Sequence, residues 1–162
     1  MPKESAGLLI YRRNGGTLEY LLVHPGGPLW KNKEDGAWTI PKGEIKASED
    51  PLTAARREAS EELGFCPTGS FIPLSPVRQK GGKLVRAWAI EADWDTTQLS
   101  SNTFTLAWPP RSGNQREFPE VDRAQYVGLS DARTKINPAQ IPLLEELGKR
   151  LDPQEAQDAD SR

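Results

Sequence analysis

A mixed α+β fold is predicted by three observations on the 162-residue chain. Apolar runs of strand character dominate both halves; one segment, 51–63, is helical with a stop signal at each end; and strands and helices interleave without an internal repeat. Taken in order, residues 6–12 and 17–24 read as strands joined through Asn14-Gly15-Gly16, residue types that accept positive φ and so close a hairpin. His24-Pro25-Gly26-Gly27-Pro28 breaks the pattern, 29–36 is a polar loop carrying Trp30, and 37–40 is a short strand stopped by Pro41. In the helix at 51–63, Asp50 is a suitable N-cap, Pro51 sits where its missing N–H costs nothing, and Gly64 can adopt the left-handed C-terminal cap. Residues 70–79 and 84–93 read as strands around Gly81-Gly82, and 102–119 as an irregular segment with a short strand near Trp108. Residues 124–129 form a last strand, Ser130 caps a short helix, and 142–151 is a helix with Leu144, Leu147 and Leu151 on one stripe. Trp38, Trp88 and Trp94 fall in strands, as core or sheet-face residues.

A mass of 18.0 kDa leaves room for one core, so 1–151 reads as one domain followed by a solvated tail, DPQEAQDADSR, that lacks any bulky hydrophobe. Twenty-one basic against 23 acidic residues give a formal charge of −2, so overall charge recommends neither nucleic acid nor an anionic membrane as partner. The apolar run at 6–11 is too short for a signal peptide or a span, and a cytoplasmic protein is expected. One cysteine, Cys66, excludes an internal disulfide and a multi-cysteine metal site; one histidine, His24, leaves little for imidazole-based metal or triad chemistry. His24 reads as a strand-end residue and Cys66 as a semi-buried neutral thiol. Chemistry falls to carboxylates, lysines, arginines and backbone.

On the helix, Leu52, Ala55, Ala59 and Leu63 share an apolar arc, while Glu58, Glu61 and Glu62 cluster on one flank. Like charges at this spacing repel by roughly 0.2–0.5 kcal/mol per pair. The helix dipole disfavours an anion in the last turn by roughly 0.3–1 kcal/mol. A divalent cation would reverse both effects, since Mg²⁺ takes carboxylate oxygens together with substrate phosphates. The alternative is a solvated charged face partly neutralised by Arg56 and Arg57, with Arg57 and Glu61 four apart in the weaker orientation. Both readings stand on the helix alone.

The residues before the helix add to this. From Gly43 the chain runs five residues to Glu49, seven more, then Arg57-Glu58-Ala59-Ser60-Glu61-Glu62-Leu63-Gly64-Phe65. This resembles the Nudix box, GX5EX7REUXEEXGU with U aliphatic, and all seven fixed letters are present. At usual residue frequencies such a match arises in one window on the order of one time in 10⁸. Ala59 is smaller than the usual aliphatic residue. The resemblance implies an α/β/α sandwich with a mixed β-sheet between helices, and similarity extends over roughly residues 5–150. It further implies that Glu58, Glu61 and Glu62 bind Mg²⁺, or Mn²⁺, helped by the backbone carbonyl of Lys42. Gly43, Glu49 and Gly64 would shape the loop, and Arg57 would join the catalytic set as the partner of Glu49. A further acidic ligand or base commonly comes from a late loop, where Glu117 and Glu120 are candidates.

A diphosphate linkage repels hydroxide, and metal ions on a carboxylate cluster neutralise it and acidify a bound water. Glu58, Glu61 or a late-loop residue could take the proton. The resemblance therefore implies Mg²⁺-dependent hydrolysis of a diphosphate bond in a small-molecule nucleotide, a nucleoside triphosphate or a dinucleoside polyphosphate such as Ap4A. ADP-ribose, an RNA 5′ end and a non-catalytic nucleotide-sensing module are the alternatives. The stretch Trp38 to Glu44 is similar to family members acting on the preferred substrates, with Lys42 able to contact phosphate. Downstream, Lys80-Gly81-Gly82-Lys83-Leu84 carries neither the tyrosine of dinucleoside polyphosphate hydrolases nor the proline of ADP-ribose pyrophosphatases. Lys31, Lys33, Lys80 and Lys83 with Arg78 and Arg86 could line a polyphosphate channel, and Trp30 could stack on a nucleobase.

Overall fold

A computed structural model describes residues 3–151, so the tail expected at 152–162 lies outside the described residues. In chain order the elements are β1 (Glu4–Asn14), β2 (Thr17–Pro25), β3 (Lys42–Glu44), α1 (Pro51–Leu63), β4 (Ile72–Pro73), β5 (Val77–Arg78), β6 (Leu84–Glu91), β7 (Thr103–Ala107), β8 (Gln115–Pro119), β9 (Val121–Gly128), α2 (Leu129–Lys135) and α3 (Ile141–Leu151). Among the described residues, β4-β6-β1-β2-β9 form the main sheet, with β3 added to β1 and β5 to β6, while β7 and β8 pair separately. The sheet is mixed: β1 runs parallel to β6 and antiparallel to β2 and β3.

Residues Ser5 to Tyr11 of β1 are all buried, the mark of a strand covered on both faces. Alternation divides them. Ala6, Leu8 and Ile10 face α1, packing with Ala54, Ala55, Ala59 and Leu63; Leu9 and Tyr11 face α2 and α3, packing with Ala132, Leu143, Leu144 and Leu147. Each buried aliphatic side chain contributes roughly 1.5–3 kcal/mol. The result is the expected α/β/α arrangement. The fully buried Ala59 brings α1 close to the sheet.

Several expectations are corrected. No strand forms at 37–40: Trp38 and Thr39 make isolated bridges to Ile136 and Val23, and the ladder starts beyond Pro41, which has no N–H to offer but accepts from the Leu8 amide at 3.1 Å. The strand at 70–79 splits into β4 and β5 because Pro73 and Pro76 cannot donate to a ladder. The irregular segment at 102–119 is a hairpin, with Phe104 opposite Phe118 and Trp108 just past the end of β7. Ser130 does not cap α2; the N-cap is Gly128, with no side-chain bond. On α3 the stripe of Leu144, Leu147 and Leu151 does pack on the core, Leu151 at its edge, and Leu143 joins it as a further buried residue. Trp94 lies beyond β6, its ring stacked on Phe65 at 5.3 Å, and Trp38 is buried in a loop.

Candidate metal and nucleotide site

The box residues meet where β3 passes the carboxylate flank of α1. Asp50 caps the helix by accepting from the Thr53 amide at 3.1 Å, and Gly64, at φ 75°, ends it with its N–H on the Ser60 carbonyl. Those caps fix the helix rotation and so the direction of its glutamates. Arg57 then organises the loop. Its Nε and Nη2 donate to the two Glu49 oxygens at 2.8 and 3.0 Å, and Nη2 also donates to the Glu44 carbonyl at 3.0 Å. Nη1 donates to Glu58 Oε1 at 2.7 Å and Glu61 Oε2 at 3.2 Å. All the guanidinium donors are thereby engaged. Arg57 is placed as a brace for the loop and the carboxylates.

Gly43 has a positional reason. A Cβ there would overlap the Glu58 carboxyl group, so only glycine lets the loop backbone lie against that side chain. Next to it, the Lys42 amide donates to Glu62 Oε1 at 3.2 Å. Burial, then the Glu58 charge, push the Glu62 carboxyl up to about 8, with Glu120 adding to the shift and Lys42 opposing it. Desolvation, then Glu58 and Glu61, also raise Glu120. The Lys42 ammonium is pulled down by burial and by Lys83, and held up by Glu62 and Glu58. The Arg57 hydrogen bonds hold Glu49 near 2, well below the usual carboxylate range.

Among the described residues no three acidic, histidine or cysteine side chains converge as a preassembled ligand cluster, since Arg57 holds Glu58 and Glu61 while the Lys42 amide holds Glu62. The donor chemistry nonetheless fits a hard divalent cation. The donors are oxygens only, and the burial of Glu62 and Glu120, together with the charge of Glu58 beside them, disfavours their anions in a way that such a cation offsets.

Glu62 and Glu120 also face a cleft of about 330 Å³ whose other walls include the loop from Pro25 to Trp30 and the side chains of Phe104 and Leu106. Trp30 is 39% exposed there, with the Lys33 ammonium 5.2 Å from its ring centre. Of the two late-loop candidates, Glu120 lies in this cleft; Glu117 points to the other face of the hairpin and accepts from Thr103 Oγ1 at 2.6 Å. Phe104 and Leu106 escape the sequence reading, although the alternation of 103–107 carries their signal. His24 is wholly buried: Nδ1 lies 2.8 Å from Asp122 Oδ1 and Nε2 lies 2.6 Å from the Lys33 carbonyl, which ties the Trp30 loop to β2 and β9. Cys66 is half-buried, its thiol directed at the Pro67 carbonyl.

The six basic candidates are not gathered into one channel. Lys31 and Lys33 belong to the Trp30 loop; Lys80 sits in the β5–β6 turn, Arg78 bonds the Gly82 carbonyl, and Arg86 pairs with Glu4. Lys83 alone of the six approaches the box, 4.0 Å from Glu44 and close enough to Lys42 to lower it.

A NUDIX domain family model matches residues 1–147. The bis(5′-nucleosyl)-tetraphosphatase [asymmetrical] of Caenorhabditis elegans is 40% identical over 65 residues, covering 40% of this chain and 43% of that protein. The matched segment thus spans less than half of the worm relative's length. The enzyme of the same name from Rattus norvegicus is 29% identical over 122 residues, 67% of this chain and 79% of the other. The crystal structure of a C. elegans Ap4A hydrolase binary complex superposes with a TM-score of 0.63 at 26% identity, covering 92% and 97% of the two chains. With the seven box residues on one loop and helix and the family match running over all but the end of the sequence, this chain belongs to the NUDIX domain family.

Proposed function

We propose that this chain is a Mg²⁺- or Mn²⁺-dependent Nudix pyrophosphohydrolase, acting through residues 1–151 as one unit on a nucleoside polyphosphate: a dinucleoside polyphosphate such as Ap4A, or a nucleoside triphosphate. One observation carries the reading: a single cleft presents Trp30 and Phe104, a platform for a base, together with Glu62 and Glu120, beside the Arg57-braced carboxylates. The names of the worm and rat relatives support the dinucleoside substrate.

Glu58, Glu61 and Glu62, with the Lys42 carbonyl and Glu120, would hold the metal. When bound, it supplies neutralisation of the phosphates and acidification of a water. Lys42 and Lys83 place positive charge beside the carboxylates, where anionic phosphate groups need it. Trp30 orients the base by stacking. Glu120, less enclosed than Glu62, would act either as that further ligand or, left free of the metal, as the base for the attacking water. Arg57 holds Glu58 and Glu61 in place between turnovers.

The test is phosphate and pyrophosphate release from a nucleotide panel with and without Mg²⁺, on the native protein and Glu62→Gln. Metal-dependent turnover is expected, reduced by about 100-fold or more in the variant. Tight nucleotide binding without turnover, or turnover indifferent to Glu62, refutes the assignment.

A further inference from the structure

A second cleft, of about 340 Å³, abuts the first; Gly27 and Pro28 line both. Its other walls include Lys31, Trp108, Arg116 and Phe118. Alternation along the β7–β8 hairpin explains the pair of clefts. Phe104 and Leu106 point the same way as their cross-strand partners Phe118 and Arg116, and Trp108 continues that face one step beyond β7. One apolar hairpin face thus lies over the loop at 26–31, with Phe104 and Leu106 walling the first cleft and Trp108, Arg116 and Phe118 walling the second.

The second cleft is charged differently from the first. Lys31 and Arg116 make no ion pair among the described residues, whereas Arg12, Arg57, Arg86, Arg123, Arg133 and Arg150 all do. The carboxylate in its wall, Asp122, is engaged by His24 Nδ1 at 2.8 Å. Arg116 lies 5.8 Å from the Phe118 ring centre, so the cation and the aromatic face are offered together. Two aromatic side chains with two uncommitted cations suit a planar base with an adjoining phosphate.

We propose that this second cleft is the subsite for the distal nucleoside and its neighbouring phosphate in a dinucleoside polyphosphate. The proposal rests on the nucleotide reading above. A ligand with one base against Trp30 reaches the second cleft past Gly27 and Pro28 only if it carries a second base on a polyphosphate bridge. A nucleoside triphosphate fills the first cleft alone. The residues at 102–119 therefore set the choice between these substrate classes.

The test compares a dinucleoside tetraphosphate with the matching nucleoside triphosphate, by calorimetric titration of Glu62→Gln protein and by steady-state hydrolysis of otherwise native protein. Lys31→Ala and Arg116→Ala, at exposed positions, and Trp108→Ala, at a half-buried one, are made in each background. Each is expected to shift the ratio of the two Kd values, and of the two KM values, about tenfold against the dinucleoside ligand. Trp30→Ala is expected to weaken both ligands together. Variants that move both ligands equally, or neither, overturn the subsite whether or not the chain hydrolyses them. A shifted Kd ratio in a protein without turnover keeps the subsite and refutes hydrolysis instead.

Discussion

Arg57 and Glu62 belong to the same helix and meet opposite surroundings on it. Arg57 has every donor engaged by oxygen, and the Glu49 carboxylate it grips is stabilised in its charged form. Glu62 is crowded by burial and by Glu58, so the folded, metal-free protein favours its protonated form up to about pH 8, against 4.5 when unfolded. Between those values the native state binds more protons than the unfolded state, and stability falls as pH rises. Glu62→Gln removes that penalty while removing a proposed ligand. At pH 8 without metal, thermal unfolding of the variant should show a gain of about 2 kcal/mol, or about 5 °C. An unchanged or lower Tm would mean that Glu62 is comfortable as an anion. The box letters were legible in the sequence because their spacing is fixed by loop and helix geometry. Glu120 was named only as one of two late-loop candidates, and Phe104 and Leu106 were not read at all, because these residues reach the cleft from a segment more than 40 residues downstream of α1.

Helix α1 shows what sequence reads well at the scale of elements. Its bounds were marked by Asp50, Pro51 and Gly64, residues whose effects are local, and the observed caps are those residues. Asp50→Ala should cost about 1 kcal/mol by removing the bond to the Thr53 amide. Gly64→Ala should cost about 1–2 kcal/mol, since a Cβ at φ 75° is strained and also meets the Ser100 carbonyl at 2.9 Å. Denaturant melts of both variants check this; a neutral Gly64→Ala would mean that the helix end relaxes. The β7–β8 hairpin shows the converse. Its turn, Pro109 to Asn114, is rich in residues that end strands, and this masked the alternation on either side, Thr103-Phe104-Thr105-Leu106 and Arg116-Glu117-Phe118. A two-stranded ribbon is marginal by itself. This one is held by its contact with the loop at 26–27, where the Gly26 amide donates to the Glu120 carbonyl at 2.9 Å, and that tertiary support leaves no local trace in the sequence.

Across the whole molecule, Glu49 and Glu62 set opposite limbs of a stability profile. Glu49, lowered to about 2, adds stability that is present above 4.5 and lost as pH falls toward 2; Glu62 withdraws stability as pH rises from 4.5 toward 8. A divalent cation competes with protons for the same carboxylates. The rise in Tm on adding Mg²⁺ should therefore be larger at pH 8 than at pH 5, and equal increments at both would place the cation elsewhere. The parallel pairing of β1 with β6 carries a further consequence, for the order of assembly. Tyr11 finds Tyr20 across a separation of nine residues, but every β1–β6 pair spans 80. Closing the longer loop costs about 2 kcal/mol more chain entropy. The first hairpin can therefore form early, while β3 and α1, both inside that 80-residue span, are locked against a complete sheet only when β6 docks. A refolding chain should regain hairpin structure before it regains catalytic competence, and the interval between the two is the time needed to close that one loop.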